Sequence, residues 1–157
     1  MKVIKDILCN DIPYGKTEDE ADSLIGTVII EDNKLQGFAT NIRKNIPYFI
    51  FGTIDDDTAE IVIDRMEELP HILYMEKDGF KYYGKSYLKS LITDCLIGDC
   101  QLTLMTPEKS DRWLSNKEEE LEKAIINQKH QISNEAIELY ENLIANNSSY
   151  EPKIGKR

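Results

Sequence analysis

The chain is poor in the residues from which a function is usually read. It has three cysteines, Cys9, Cys95 and Cys100, and two histidines, His71 and His130. An odd, small number of cysteines argues against a disulfide framework and is typical of a reducing compartment. Neither histidine has a cysteine or a carboxylate at ligand spacing, whereas zinc needs three or four donors. We therefore predict neither a metal site nor a cofactor.

Motifs of phosphate binding, calcium binding and nucleophilic catalysis are also missing. Gly84-Lys85-Ser86 lacks the upstream glycine of a phosphate-binding loop, and no Gly-x-Ser-x-Gly occurs. Asp55-Asp56-Asp57 lacks the spaced oxygens, the central glycine and the final glutamate of a calcium loop. We interpret this acidic run as the solvated tip of a hairpin.

No arrangement of residues in the sequence identifies an enzyme. Cys95 and Cys100 are candidates for a redox pair, but without a Cys-x-x-Cys motif we interpret them as buried free thiols. A dispersed acid–base site is the third of our functional hypotheses. Its candidate residues are Glu60, Asp64 and His71.

Long apolar runs and concentrated positive charge are absent as well. No stretch approaches the roughly 18 consecutive apolar residues of a membrane helix, and residues 1–11 lack the apolar core of a secretory signal. Residues 1–106 carry 11 Lys or Arg against 19 Asp or Glu, and residues 107–157 carry 8 against 10. This distribution gives no basic footprint for a phosphate backbone. We expect a cytoplasmic protein that binds neither nucleic acid nor membrane.

The composition that is present is that of an ordinary globular protein. The chain has 157 residues, of which 41% are hydrophobic and 31% charged, and its net charge is −10. This length suffices for one domain with a core that needs no disulfide or metal. Isoleucine, lysine and asparagine are abundant (21, 15 and 10) and alanine is scarce (6), which hints at an AT-rich genome such as that of a bacterium or its phage.

The hydrophobic period changes once, near Thr106-Pro107. Before this point, short apolar runs alternate with turn residues such as Asp32-Asn33 and Asp78-Gly79, and residues 48–54 form the most apolar run. After it, apolar residues recur at helical spacing. We predict an α+β fold in which residues 1–106 form an antiparallel β meander of six to eight strands, either a small barrel or a strongly curved sheet. One or two C-terminal helices follow.

Residues 86–105 fit two structures. The first is a hairpin that turns at Gly98-Asp99, so that apolar residues of both arms share one face. The second is a helix with Ser86 as N-cap and Gly98 as C-cap. We favour the hairpin because the facing pairs agree along its whole length, and whether residues 86–97 are strand or helix stays open here.

The helical segment covers residues 107–146 and is expected to pack on the β body. Thr106-Pro107-Glu108 is predicted to be its start, and the pattern from Ser115 to Glu118 is typical of a capping box. Residues 147–157 are expected to fray. The prediction of a helical segment rests on two apolar stripes at helical spacing. They are Leu121, Ala124, Ile125, Gln128 and Ile132, and then Ala136, Ile137, Tyr140, Leu143 and Ile144.

The up-and-down strand rhythm of residues 1–106 resembles that of lipocalin- and avidin-type barrels. The Gly-x-Trp motif expected near the first strand of a lipocalin is not present, because Gly26 is followed by Thr27-Val28. The resemblance therefore concerns architecture alone and implies no function.

Two sets of residues are candidates for binding. Our leading hypothesis is a non-enzymatic, acidic protein of the regulator, inhibitor or immunity type. It would contact a basic protein partner or form a homodimer through the helical segment. The alternative is small-molecule binding in an aromatic-lined barrel. The candidate partner-binding residues are Trp113, Ile125, Ile132, Leu139 and Leu143. The candidate ligand-binding residues are Phe51, Tyr74, Phe80 and Tyr82.

Overall fold

A computed structural model describes residues 2–15, 21–65, 68–89 and 94–129. Within these residues, eight antiparallel strands, each paired with its neighbours in chain order, close into a barrel, and one helix follows. The predicted α+β class with an antiparallel β body and a C-terminal helix is confirmed. The elements are β1 (Lys2–Pro13), β2 (Asp22–Glu31), β3 (Lys34–Asn41), β4 (Ile46–Ile54), β5 (Thr58–Asp64), β6 (His71–Asp78), β7 (Lys81–Lys89), β8 (Asp94–Met105) and α1 (Asp111–Lys129).

The barrel closes because β1 pairs with β2 on one side and with β8 on the other. Side chains alternate between the two faces of each strand, so every second residue points inward. In β3, for example, Leu35 and Ala39 are buried inside the barrel, whereas Phe38 lies on the outer wall. A closed barrel leaves no sheet edge over the length where all eight strands are paired.

The interior is filled mainly by aliphatic side chains, among them Ile7, Leu35, Ile61 and Leu102, and β7 contributes Tyr82. A cavity of about 10 Å³ lies between these side chains. Such a volume is at the lower limit for one water molecule, and a lining of this apolar character favours an empty space. The described barrel core is therefore close-packed, as expected for eight strands.

Five strand glycines occupy inward positions and allow the sheet to curve into a barrel. A methyl group at any of them would lie under 3.0 Å from the carbonyl oxygen of a neighbouring strand. At Gly84 that oxygen belongs to Tyr74, and at Gly52 it belongs to Glu60. Close backbone approach is a common reason for glycine within a strand. The five are Gly26, Gly37, Gly52, Gly84 and Gly98.

A second apolar cluster lies on the outer wall, beneath α1. Leu121 and Ile125 of the helix are buried with outward residues of β2, β4, β5 and β6. Lys2 Nζ reinforces this contact, since it lies 2.6 Å from Glu122 Oε1 and 3.5 Å from Glu118 Oε1. The wall residues of the cluster are Ile29, Phe49, Phe51, Val62 and Ile72.

Two predictions inside the β body were wrong. Residues 9–15 contain several turn-forming residues, from which the sequence predicts a loop, but β1 continues to Pro13 and pairs with β8 as far as Gly98. The hairpin was expected to turn at Gly98-Asp99, but these residues lie within β8. Gly98 is opposite both Ser86 and Pro13, a close approach that requires glycine. Strand structure over residues 86–89 and 94–97 excludes the helical alternative there, and residues 90–93 lie outside the described residues.

The predicted start of the helical segment was also wrong. Residues 106–110 are not helical, and α1 begins at Asp111. Ser110 is the N-cap, because its Oγ accepts a hydrogen bond from the Trp113 N–H at 3.2 Å. Ser115, predicted as a cap, lies inside the helix. The second apolar stripe and the predicted frayed tail lie outside the described residues.

Candidate interaction surface at the hairpin end

The two ends of the barrel differ in construction. We call residues 31–34, 55–58 and 76–81 the hairpin end, since the β2–β3, β4–β5 and β6–β7 turns meet there. We call the opposite end, where β1–β2, β3–β4, β5–β6 and β7–β8 are connected, the connection end. The up-and-down topology places these two groups of connections on opposite sides of the packed core.

Hydrogen bonds tie the three hairpin tips together. The Ile54 N–H donates to Asn33 O at 2.9 Å, and the Lys77 N–H donates to Asp57 O at 2.8 Å. The Tyr82 hydroxyl, which comes from inside the barrel, donates to Asp55 O at 2.5 Å. The hairpin end is therefore a connected surface and not a set of independent loops.

Local turn chemistry shapes each tip. Asp32 and Asn33 have φ values of 52° and 66°, and Gly79 has 70°. These are left-handed conformations that Asn, Asp and Gly adopt most readily. Asp55 Oδ1 accepts hydrogen bonds from the N–H groups of Thr58 and Asp57 at 2.8 and 2.7 Å. These backbone bonds, with that from Thr58 foremost, lower the pKa of Asp55.

The hairpin end is acidic and carries an exposed aromatic ring. Phe80 is 77% exposed at the β6–β7 turn. The three tips together carry seven exposed carboxylates and three lysines. The carboxylates belong to Glu31, Asp32, Asp55, Asp56, Asp57, Glu76 and Asp78, and the lysines are Lys34, Lys77 and Lys81.

Glu60 lies behind this acidic end, on the outer wall opposite Thr53 and Tyr74 of the adjacent strands. Its Oε2 is buried and has no hydrogen-bond partner among the described residues. Burial, together with repulsion from Asp55, raises the pKa of Glu60 to about 7. The Glu60 carboxyl is thus partly protonated near neutral pH.

We expect Glu60→Gln to change the pH dependence of stability. The folded-state pKa of about 7 exceeds the reference value of 4.5, so the folded state binds more protons and loses stability as pH rises through this window. The variant, which stays neutral, should be about 1–2 kcal/mol more stable than wild type at alkaline pH, with solvent screening allowed for, and equally stable in acid. Urea unfolding at several pH values measures this difference. A pH-independent difference would contradict the assignment, and Glu76→Gln controls for loss of one exposed carboxylate.

The connection end holds a polar network inside the barrel. Asp11 is 3% exposed and His71 is 7% exposed. Asp11 Oδ2 lies 2.7 Å from His71 Nδ1, and Asp11 Oδ1 accepts a hydrogen bond of 2.7 Å from Ser86 Oγ. Asn41 Oδ1 accepts hydrogen bonds from the N–H groups of Arg43 and Lys44 at 3.1 Å. Within the described part, Asn41 Nδ2 is buried without a partner.

This network does not form a nucleophile–base pair. A serine nucleophile needs its hydroxyl on the histidine, whereas Ser86 Oγ donates to Asp11. Across the described residues, no group of three His, Cys, Asp or Glu side chains is arranged to hold a metal ion. Glu60 and Asp64 lie on the outer wall and His71 lies inside, so the structure does not bring the candidate acid–base residues together.

The predicted ligand-binding aromatic residues occupy three different environments. Tyr82 points into the barrel, where burial, with added repulsion from Asp56 and Asp55, raises its pKa. Phe51 and Tyr74 lie on the outer wall in the cluster beneath α1, and Phe80 is in solvent. The structure does not bring the four together, and none of them lines the 10 Å³ cavity.

Two of the predicted partner-binding residues lie in the described helix. Ile125 is 7% exposed and packs on the barrel wall, so its side chain is used within the monomer. Trp113 is half-buried, with Lys109 Nζ 5.6 Å from its ring centroid. The other three candidates, Ile132, Leu139 and Leu143, lie outside the described residues.

The expectation of buried thiols holds for only one of the two cysteines concerned. Cys100 points into the barrel, and burial raises the pKa of its thiol. Cys95 is exposed, so it lies outside the barrel core that contains Cys100. Cys9, also inside, has a pKa raised well above its usual value, with desolvation the main cause. Neither buried thiol is activated for chemistry.

Sequence reasoning missed Asp11, Asn41 and Ser86. Asn10, Asp11, Pro13 and Gly15 are turn-forming residues, which concealed the end of β1. The sequence did contain one indication of this position. Ile7, Cys9 and Asp11 alternate with the intervening residues as in a strand, which places the Asp11 carboxylate on the inward face. Its partners come from β6 and β7, far away in the chain, and no local pattern identifies them.

The fold and its surfaces define an eight-stranded, up-and-down antiparallel β-barrel with a packed interior and a C-terminal helix. No known protein family, curated protein or solved structure matches the chain. In the part of the chain that is described, no helix has the length and apolar character to cross a membrane.

Proposed function

We propose that the protein acts by binding another protein, with the hairpin end as its contact surface and a basic patch on the partner. The observation that carries this proposal is the exposed Phe80 on a connected surface whose tips also carry seven exposed carboxylates and three lysines. A role as a regulator, inhibitor or immunity-type protein is consistent with such binding, and catalysis is not required.

The carboxylates and the aromatic ring of this surface contribute to binding in different ways. Excess carboxylates attract a basic partner at long range and disfavour acidic ones, which mainly affects association rate and specificity. An aromatic ring inserted in a pocket of the partner supplies affinity, since buried aromatic anchors dominate many interfaces. Because hydrogen bonds already connect the tips, little ordering entropy is lost on binding.

The packed interior supports a surface function over a ligand inside the barrel. Ligand pockets usually measure about 300–1,000 Å³, whereas the cavity between the core residues measures about 10 Å³. We therefore do not propose small-molecule binding by the four aromatic residues. The cytoplasmic location and the bacterial or phage origin suggested by composition belong to this proposal as well.

Capture of the partner from lysate of the native host tests the proposal. Phe80→Ser should weaken retention at least tenfold, because loss of a central anchor costs about 2 kcal/mol or more. Asp56→Asn with Asp57→Asn should slow association and reduce its salt dependence, while leaving the Asp55 turn intact. Association and dissociation rates at two salt concentrations measure both effects.

Matched variants away from the hairpin end serve as controls. Ile25→Ser removes an exposed apolar residue from the outer wall of β2. Glu119→Gln with Glu120→Gln removes two exposed carboxylates from α1. Both should bind as wild type does. If they lose the partner while Phe80→Ser retains it, the contact surface lies elsewhere.

A further inference from the structure

β1 extends beyond the strand that closes the barrel against it. Its pairing with β2 covers Lys2 to Asp11, but its pairing with β8 begins only at Asp6, opposite Met105. After Met105 the chain leaves the ladder through Thr106 and Pro107. Among the described residues, residues 2–5 therefore have a strand on one side only.

The ladder geometry shows which backbone groups face the open side. Tyr14 N–H donates to Ile97 O at 2.8 Å, just beyond the Pro13–Gly98 pair. Residues of an antiparallel strand alternate between their two neighbours, so the even-numbered residues of β1 direct their N–H and C=O toward β8. The Ile4 N–H and C=O therefore point to the side of β1 where β8 is no longer paired, since β8 ends at Met105. In the described part of the chain, no hydrogen bond joins the Ile4 backbone to residues 106–110.

A groove of about 450 Å³ lies along this open edge. One wall is residues 2–5 of β1, and the other is formed by Thr106, Pro107 and the first turns of α1, including Leu114. At the strand rise of about 3.3 Å per residue, the open edge is about 13 Å long. This length and volume suit a short extended peptide.

The ammonium groups of the two lysines of the edge are already bonded, one to α1 and one to Thr106. Lysine often protects an exposed edge strand from pairing, but Lys2 Nζ is held by Glu122 of α1 at 2.6 Å. Lys5 Nζ donates to Thr106 Oγ1 at 2.8 Å, where the β1–β8 ladder ends. Asp111, in the helix wall of the groove, has no ion-pair partner among the described residues.

We infer that this groove binds an extended segment of a partner protein as an added strand antiparallel to residues 2–5 of β1. The segment bonds to the Ile4 N–H and C=O, places an apolar side chain against Leu114, and carries lysine or arginine beside Asp111. The first contact follows the general mode of strand addition to a sheet edge, and the last follows from charge complementarity. This groove adjoins the hairpin end, since Lys2 pairs with Glu31, but the inference does not depend on binding at Phe80 or at the acidic tips.

A peptide titration of the isotope-labelled full chain tests the inference by nuclear magnetic resonance. The probe is the capped hexapeptide Lys-Val-Thr-Val-Thr-Lys, and the control is the same peptide with methylated backbone nitrogens at alternate positions. We expect a dissociation constant of about 1 mM, shifts confined to the residues lining the groove, and slower exchange of the Ile4 amide. The methylated peptide should bind at least tenfold more weakly.

Charge exchange provides the matched protein variant. Asp111→Lys should weaken binding of the lysine-flanked peptide about threefold or more and strengthen binding of a glutamate-flanked one, as expected for one exposed ion pair. Three results would overturn the inference: no shifts at millimolar peptide, equal binding of the methylated peptide, or shifts at Phe80 and the acidic tips alone. The last result would show binding by charge at the hairpin end, so the two surfaces are distinguished.

Discussion

Gly84→Ala is expected to destabilise the barrel by at least about 3 kcal/mol, a large part of the stability of a single domain. The added methyl group would collide with Tyr74 O, a backbone atom held in the β6–β7 ladder. Neither strand can shift without breaking hydrogen bonds or disturbing the core around Met75, which is opposite Gly84. Urea unfolding followed by circular dichroism measures the loss.

Gly79→Asn is the matched control for this substitution. Gly79 has a φ of 70° but no atom within 4 Å of an added Cβ. Asparagine tolerates this left-handed conformation, so the cost should be about 1 kcal/mol or less. If Gly84→Ala is as mild as Gly79→Asn, close strand approach does not explain the inward glycines.

Asp11→Ala is expected to destabilise the protein by about 3–5 kcal/mol, because it leaves two buried groups without their partner. Those groups are His71 Nδ1 and Ser86 Oγ, each 2.7 Å from an Asp11 oxygen. Ser86→Ala removes one donor and should cost about 1–2 kcal/mol. The free energy of unfolding from urea titration measures each loss.

Asp6→Ala is a control on the same strand. Asp6 Oδ1 accepts a hydrogen bond from Thr27 Oγ1 at 3.1 Å in a part-buried position, so its loss should cost about 1 kcal/mol or less. A double-mutant cycle of Asp11→Ala with Ser86→Ala should show coupling, since both residues belong to one network. Additive losses would indicate that the two side chains act independently.

Most strand positions could be predicted from the sequence because their determinants are local. The turn at Asp32-Asn33 and the turn at Gly79 were predicted from residues that tolerate positive φ, and both have it. Residues 48–54, the most apolar run of the sequence, lie within β4. The helical period after residue 107 identified α1, although Ser110 and not Ser115 caps it.

The candidate surfaces could be predicted only in part. The acidic run at residues 55–57 was identified as a hairpin tip, but its hydrogen bond to Lys77 depends on how two hairpins meet. Phe80 was expected in a pocket, whereas it is exposed at a turn. Composition indicates that aromatic residues are present in the β body, but the inward or outward position of each depends on its strand register.

The sequence by itself determined the strand period, the principal turns and the change to helix, because these follow from backbone sterics and side-chain alternation over a few residues. Only the tertiary structure decided that the sheet closes, that Gly98 is a point of close approach and not a turn, and that Asp11 meets His71 and Ser86. These features depend on contacts between residues up to 99 positions apart, as between Asp6 and Met105. No local sequence pattern indicates such contacts, because they stabilise the protein only after distant strands have paired.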